Sequence, residues 1–294
     1  MKQKIALVLS GGGARGIAHI GVIEELENRG YEVSSIAGTS MGAVVGGVYA
    51  AGKMEEFKEW LCALDRRGVV RLLDFSFSKQ GLVKGDKVFR VMREFIGDIR
   101  IEDMEIPFAA VAADLIKREE VVFRKGSIYE AMRASVSIPT MLTPVKKGKG
   151  LLVDGGVMNN LPIGHVERTA GDLVVAVYVN ADIPVNSPAI SHKEKRARQS
   201  VYRKRLKEFQ EHLPGAGSKS REDQLSFFDL LNQTISVMTD ALALKNLEKY
   251  PPDLMIEISH DSCGTYDFYK AEEMVEMGRY AASLKLETLK NSLL

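Results

Sequence analysis

Short, nearly unbroken apolar runs separated by glycine-bearing turns set the pattern of this chain. Runs near 4–9, 33–37, 107–113, 121–124, 151–154, 173–179 and 253–258 have the length and residue types of strands. Between most of them the spacing changes to that of helices. Ile17, Ile20, Ile23 (or Val22) and Leu26 recur at helical intervals after the first run, and Gly30 closes that helix. Ala43 to Ala51 is a small-residue stretch suited to packing on a sheet, with Gly52 as its C-cap. Strands that are apolar throughout and alternate with helices predict an α/β fold, its sheet largely parallel and covered on both faces.

The pattern loosens between about 181 and 224. That polar stretch holds Pro184, Pro188 and Pro214 and a basic run of Lys193, Lys195, Arg196, Arg198, Arg203, Lys204, Arg205 and Lys207. Tyr202, Leu206, Phe209 and Leu213 recur at helical spacing within it. A basic amphipathic helix over 193–213 fits three roles: peripheral contact with an anionic membrane, a lid, or a solvated face packed by its stripe. A second stripe, Phe228, Leu231, Ile235, Met238 and Leu242, is expected in core or interface. The reading is one core domain over 1–294, with a lid-like insertion at about 181–224 and a helical C-terminal region, 225–294.

Composition narrows the classes. With 45% hydrophobic and 27% charged residues, the 294-residue chain has globular values. Its net charge of +1 gives no electrostatic case for nucleic acid. Cys62 and Cys263 show no metal-binding spacing and are expected to be reduced. The apolar run after Met-Lys-Gln-Lys is too short for an export signal, and the uncharged stretch 36–52 is glycine-rich and too short to cross a bilayer. A cytoplasmic protein is expected.

The chemistry concentrates in the turns. In Gly38-Thr39-Ser40-Met41-Gly42 a serine has glycines two before and two after, between a strand and a helix. Such a serine can sit on a sharp elbow with its hydroxyl exposed, a candidate nucleophile. Upstream, the first strand runs into Ser10-Gly11-Gly12-Gly13-Ala14-Arg15-Gly16 and then a helix. Free N–H groups at a helix N-terminus suit negative charge, either a pyrophosphate or the oxyanion of acyl transfer. Gly11, Gly13 and Gly16 match the dinucleotide fingerprint, but the acidic residue it requires is misplaced: Glu32 begins the second strand, whose end carries the serine. In Leu151-Leu152-Val153-Asp154-Gly155-Gly156 a strand delivers a carboxylate into a turn, making Asp154 either a base for Ser40 or an ordinary turn former. Of the five histidines, His165 is the one candidate for a third triad member, and His19 reads as a surface or core-edge residue. Asp114 reads as structural.

GGGARG at 11–16, GTSMG at 38–42 and DGG at 154–156, in that order, resemble the patatin-like phospholipases. The resemblance runs from about residue 4 to 180 and takes in Ala134-Ser135-Val136-Ser137-Ile138-Pro139 and Asn159-Asn160-Leu161-Pro162. It implies a three-layer α/β/α sandwich that hydrolyses acyl esters of lipids without metal or cofactor. Ser40 is then the nucleophile, Asp154 its base, and the backbone of Gly12, Gly13 and Ala14 the oxyanion hole. Arg15 matches a basic loop residue that either orients a phosphate head group or ties the loop to a carboxylate. The resemblance speaks against His165. The expected partner is a lipid or fatty-acyl ester. The alternative is a regulatory or scaffold protein that retains the fold, with incidental esterase activity.

Overall fold

The computed structural model describes residues 2–72, 74–78, 81–139, 141–185 and 227–292. The basic run and the stripe from Tyr202 to Leu213 lie outside the described residues. The strands are β1 (Gln3–Leu9), β2 (Tyr31–Thr39), β3 (Phe75–Ser78), β4 (Gly81–Val83), β5 (Phe108–Asp114), β6 (Glu119–Phe123), β7 (Val145–Lys147), β8 (Gly150–Asp154), β9 (Leu173–Ala181) and β10 (Leu254–Ser259). The α-helices are α1 (Ala18–Asn28), α2 (Met41–Ala50), α3 (Met54–Cys62), α4 (Arg66–Leu72), α5 (Asp86–Ile96), α6 (Ile128–Ser135), α7 (Phe227–Lys249) and α8 (Ala271–Ser292). All seven expected strands are present, and the additions β3, β4 and β7 are too short to carry a periodic signal.

The main sheet runs β10-β9-β1-β2-β5-β8-β7, with β6 also paired to β5. From β10 to β5 every pairing is parallel; β6 and β8 are antiparallel to β5, and β7 to β8. The edges of β5 explain how the odd strands fit. Along one edge β6 pairs with Ala110 to Asp114. The other edge is shared end to end, because β2 pairs with Phe108 to Val111 and β8 with Ala112 to Asp114.

Alternate residues of β1 feed two cores. Ile5, Leu7 and Leu9 join the large cluster packed by α1, α2, α3, α5, α6 and α8, while Ala6 and Val8 face a smaller one. Helices α1 and α8 cross at glycines, where a Cβ on Gly21 would lie 1.8 Å from the Val275 carbonyl oxygen and one on Gly278 1.9 Å from that of Ala18. The second face is covered by Leu161, Ile163 and one side of α7, through Ala243 and Leu247. The α/β/α layering is as expected, with a thin second layer. Core burial of the α7 stripe is not what the structure has: Leu231, Ile235 and Leu242 are half-buried and Met238 is exposed, because the inward side of the helix is centred on the buried Ala243.

Candidate active site

The serine elbow is built at the end of β2, and its strain falls on the serine. Ser40 has φ 54° and ψ −125°, a region disfavoured for any residue with a Cβ. Three hydrogen bonds hold it there. Its N–H donates to the Ser135 hydroxyl (2.8 Å), and its carbonyl accepts from the N–H groups of Ala43 (2.9 Å) and Val44 (3.1 Å). Ser135 in turn donates to the Val111 carbonyl (2.6 Å), tying α6 and β5 to the elbow. The flanking glycines serve close approach: a Cβ on Gly38 would lie 2.4 Å from the Gly42 carbonyl oxygen, and one on Gly42 2.2 Å from that of Leu9.

Asp154 reaches Ser40 through the shared edge of β5. Thr39, the last residue of β2, is opposite Val111, and Asp154, the last of β8, is opposite the adjacent Ala112. The two strands run in opposite directions along one line, so their C-termini meet head to head. The buried Asp154 carboxylate accepts from the Gly156 N–H (2.8 Å) and from the Ser40 hydroxyl. Burial raises its pKa to about 6, against the downward pull of those two hydrogen bonds. It is therefore a stronger base than an ordinary aspartate, and still ionised near neutral pH.

The glycine loop packs directly on the elbow. A Cβ on Gly11 would lie 2.9 Å from the Ser40 Cβ, and one on Gly16 2.6 Å from that of Met41. Gly13 has φ 58° and begins a 3₁₀ turn, Gly13–Ile17, that leads into α1. The Ala14 N–H donates to the Thr265 carbonyl (2.8 Å) and is thereby occupied, whereas those of Gly12 and Gly13 have no acceptor among the described residues. Arg15 ties the loop to uncharged acceptors rather than to a carboxylate, and it lines a polar vestibule that includes Ser40. It donates to Asn180 Oδ1 from Nε (3.1 Å) and Nη2 (2.8 Å), and from Nη1 to the carbonyls of Cys263 (3.2 Å) and His260 (3.4 Å). The Asn180 amide closes the bracket by donating to the Gly11 carbonyl (2.9 Å).

Two cavities meet at Ser40. The apolar one, about 950 Å³ including its mouth, is walled by Met41 and Val44 of α2, Phe57 and Trp60 of α3, and Phe89 and Met92 of α5, among others. A polar vestibule of about 760 Å³ holds Gly12, Gly13, Arg15, Asp154, Asn180 and Asp240. Both include Ser40, Gly13, Ile138 and Tyr266. A serine hydroxyl between an apolar cleft and a polar vestibule suits a substrate with a greasy acyl part and a polar remainder.

The family description "Patatin-like phospholipase" matches residues 7–166, which include the glycine loop, the elbow and Asp154. The chain belongs to the patatin-like phospholipase family. Its members are lipid hydrolases, and the relatives span bacteria and fungi. An uncharacterised NTE family protein of Mycobacterium bovis is 34% identical, over 97% of this chain and 91% of that one. Lysophospholipase NTE1 of Candida glabrata is 26% identical over 98% of this chain, which matches 16% of that much longer protein. Among solved structures, VipD from Legionella pneumophila shares the fold (TM-score 0.51, 15% identity, 98% of this chain and 67% of that one).

His165 and His19 stand apart from this patatin-like site. His165 lies 2.6 Å from Glu120 through Nε2 and does not line either cavity. His19 is fully buried, not at a surface or core edge: its Nε2 is 2.8 Å from the Ser10 carbonyl, and burial lowers its pKa to about 4, so it is neutral. Asp114 is structural, accepting the N–H groups of Ile116, Lys117 and Leu151. Glu32, the acid of the dinucleotide reading, is on the other end of the sheet, 3.9 Å from Lys4. Sequence reasoning assigned no part to Asn180 or Thr265. The one available signal was a polar residue, Asn180, near the end of an apolar strand. No described helix is long and apolar enough to cross a membrane.

Proposed function

We propose that the protein is a serine acyl hydrolase that cleaves carboxylic ester bonds of lipids, of the phospholipase A, lysophospholipase or esterase type, through a Ser40–Asp154 dyad. The observation that carries this reading is the head-to-head meeting of β2 and β8, which sets a buried carboxylate on the hydroxyl of a strained serine at the mouth of an apolar cleft.

In the proposed reaction the acyl chain lies in the cleft and the ester carbonyl sits over Ser40. The Ser40 oxygen attacks the carbonyl carbon while Asp154 takes its proton. The free N–H groups of Gly12 and Gly13 face the developing oxyanion, each such donor typically contributing roughly 3 to 4 kcal/mol. Collapse of the tetrahedral intermediate expels the alcohol, which takes the proton from Asp154 and leaves an acyl-serine. Water then attacks the acyl-serine with Asp154 again as base, releasing the fatty acid.

Ser40→Ala should abolish hydrolysis of acyl esters and labelling by a fluorophosphonate probe while leaving the fold intact by circular dichroism. Turnover persisting in the folded Ser40→Ala protein overturns the assignment.

A further inference from the structure

Arg133 of α6 stands beside the apolar cleft, and among the described residues its guanidinium bonds only uncharged acceptors. Its Nη1 donates to the Ser137 hydroxyl (2.7 Å), and its Nη2 to the Thr143 carbonyl (2.9 Å), the Thr143 hydroxyl (3.1 Å) and the Lys84 carbonyl. Burial lowers its pKa, and the charges of Asp86 and Asp74 offset only part of that cost. What such a cation contributes is geometry, a planar fork whose N–H groups reach several acceptors at once.

Those acceptors belong to two walls of the cleft. Lys84 precedes Gly85, the residue that caps α5, while Ser137 and Thr143 flank Ile138, Met141 and Leu142; Gly85 and these three all line the cleft. The walls meet beside the guanidinium: a Cβ on Gly85 would lie 3.0 Å from Leu142 Cδ2 and 3.5 Å from Arg133 Nε. The end of the second wall nearest the site is held without the guanidinium. There the Ser137 hydroxyl donates to the Arg133 carbonyl (2.8 Å), and the Ser137 carbonyl accepts from the Asp154 N–H (2.9 Å). Loss of the guanidinium therefore leaves the support of Asp154 in place and frees Met141 and Leu142 from the start of α5. We propose that Arg133 is a positioning residue for the acyl chain, clamping these two walls together so that the cleft grips a long chain, a role that rests on the acyl-hydrolase reading above.

Trp60 is the chain's one tryptophan and lines the cleft, so binding can be read without turnover. In a Ser40→Ala background, monodecanoylglycerol should perturb Trp60 fluorescence saturably. Adding Arg133→Lys, which keeps the charge but not the fork, should weaken that binding by about ten- to a hundredfold. With Ser40 present, Arg133→Lys should raise KM for p-nitrophenyl decanoate by a similar factor at nearly constant kcat, and leave kcat/KM for p-nitrophenyl acetate within about twofold. Should Arg133→Lys fail to fold by circular dichroism, Thr143→Val removes one acceptor at a half-buried position and should weaken decanoyl binding in the same direction. No binding with Arg133 intact overturns the proposal, as does unchanged affinity in the folded lysine variant or, failing that, in Thr143→Val. A fall in kcat shared equally by the decanoyl and acetyl esters overturns it too, and makes Arg133 a support of the whole fold. Failure of the hydrolase reading shows separately, as turnover that persists in Ser40→Ala.

Discussion

The glycine loop after β1 and the serine elbow after β2 are both strand-to-helix turns rich in glycine, yet they use glycine for opposite purposes. In the loop, Gly13 itself takes the left-handed conformation, with φ 58°. In the elbow, neither Gly38 nor Gly42 has positive φ, and it is Ser40 that does. The elbow glycines provide room, letting α2 descend until position 42 touches the carbonyl end of β1. That descent leaves the serine no relaxed conformation. In one turn glycine absorbs the strain, and in the other its absence of bulk forces strain on Ser40.

The largest expected effect separates the dyad from this scaffold. Asp154→Asn keeps shape but removes the base, so turnover should fall on the order of 10²-fold or more. His165→Ala should change it little; a crippled His165→Ala enzyme would replace the dyad with a triad. The same Asp154→Asn change should stabilise the protein. The folded pKa of Asp154 is raised from 3.8 to about 6, so the stability tied to its protonated form is complete below pH 3.8 and lost as pH rises through 6. At pH 8 the variant should gain up to about 3 kcal/mol in urea unfolding, and at pH 3.5 almost nothing. Wild-type kcat/KM should rise with pH on an acid limb near 6, because Asp154 must be ionised to act.

Next in size is the test of glycine as room. Gly42→Ala forces a Cβ onto the Leu9 carbonyl and should cost about 3 kcal/mol by denaturant unfolding. Gly30→Ala has a positive φ of 85° but open space around it, and should cost only about 1 kcal/mol. Equal costs would erase the distinction between the two uses.

The smallest effect reads the strain on Ser40. Replacing alanine by glycine ordinarily lowers stability, but at position 40 the sign should reverse. Ser40→Gly should unfold about 1 to 2 kcal/mol later than Ser40→Ala, because only glycine relaxes at φ 54°. A more stable Ser40→Ala protein would show that the elbow holds no strain.

What the sequence made legible was local. The elbow, the glycine loop and the DGG turn each fit within seven residues, and every long apolar run became a strand. Their meeting was not legible, because it depends on β8 taking up the β5 edge where β2 leaves it, and no periodicity reports a strand's direction. Arg15 was ambiguous for a similar reason: its ties, Asn180 and Cys263, are 165 and 248 positions away. For Ala14 the motif named a backbone donor, but the Thr265 carbonyl that occupies it is supplied by another part of the chain. His19 misled because histidine is usually polar surface, whereas here a helix packed against α8 and β2 drew it into full burial. The α7 stripe was sound as a helical pattern, but its inward direction was set by which small residue, Ala243, could approach the sheet.

The bond from Ala14 to Thr265 links the completion of the oxyanion loop to the order in which the chain is made. Ser40 and its elbow can form once β1, β2, β5 and α6 are out, since Ser135 of α6 holds the Ser40 N–H; Asp154 follows soon after, but Thr265 comes more than a hundred residues later still. Closing contacts across such separations is slow relative to forming local turns. A chain emerging from the ribosome thus carries its serine for most of synthesis without the Thr265 bond to the glycine loop, and under the proposed mechanism becomes competent only after β10 has docked. In refolding, recovery of hydrolysis should lag recovery of helical signal, which makes activity a clock for the final step of assembly.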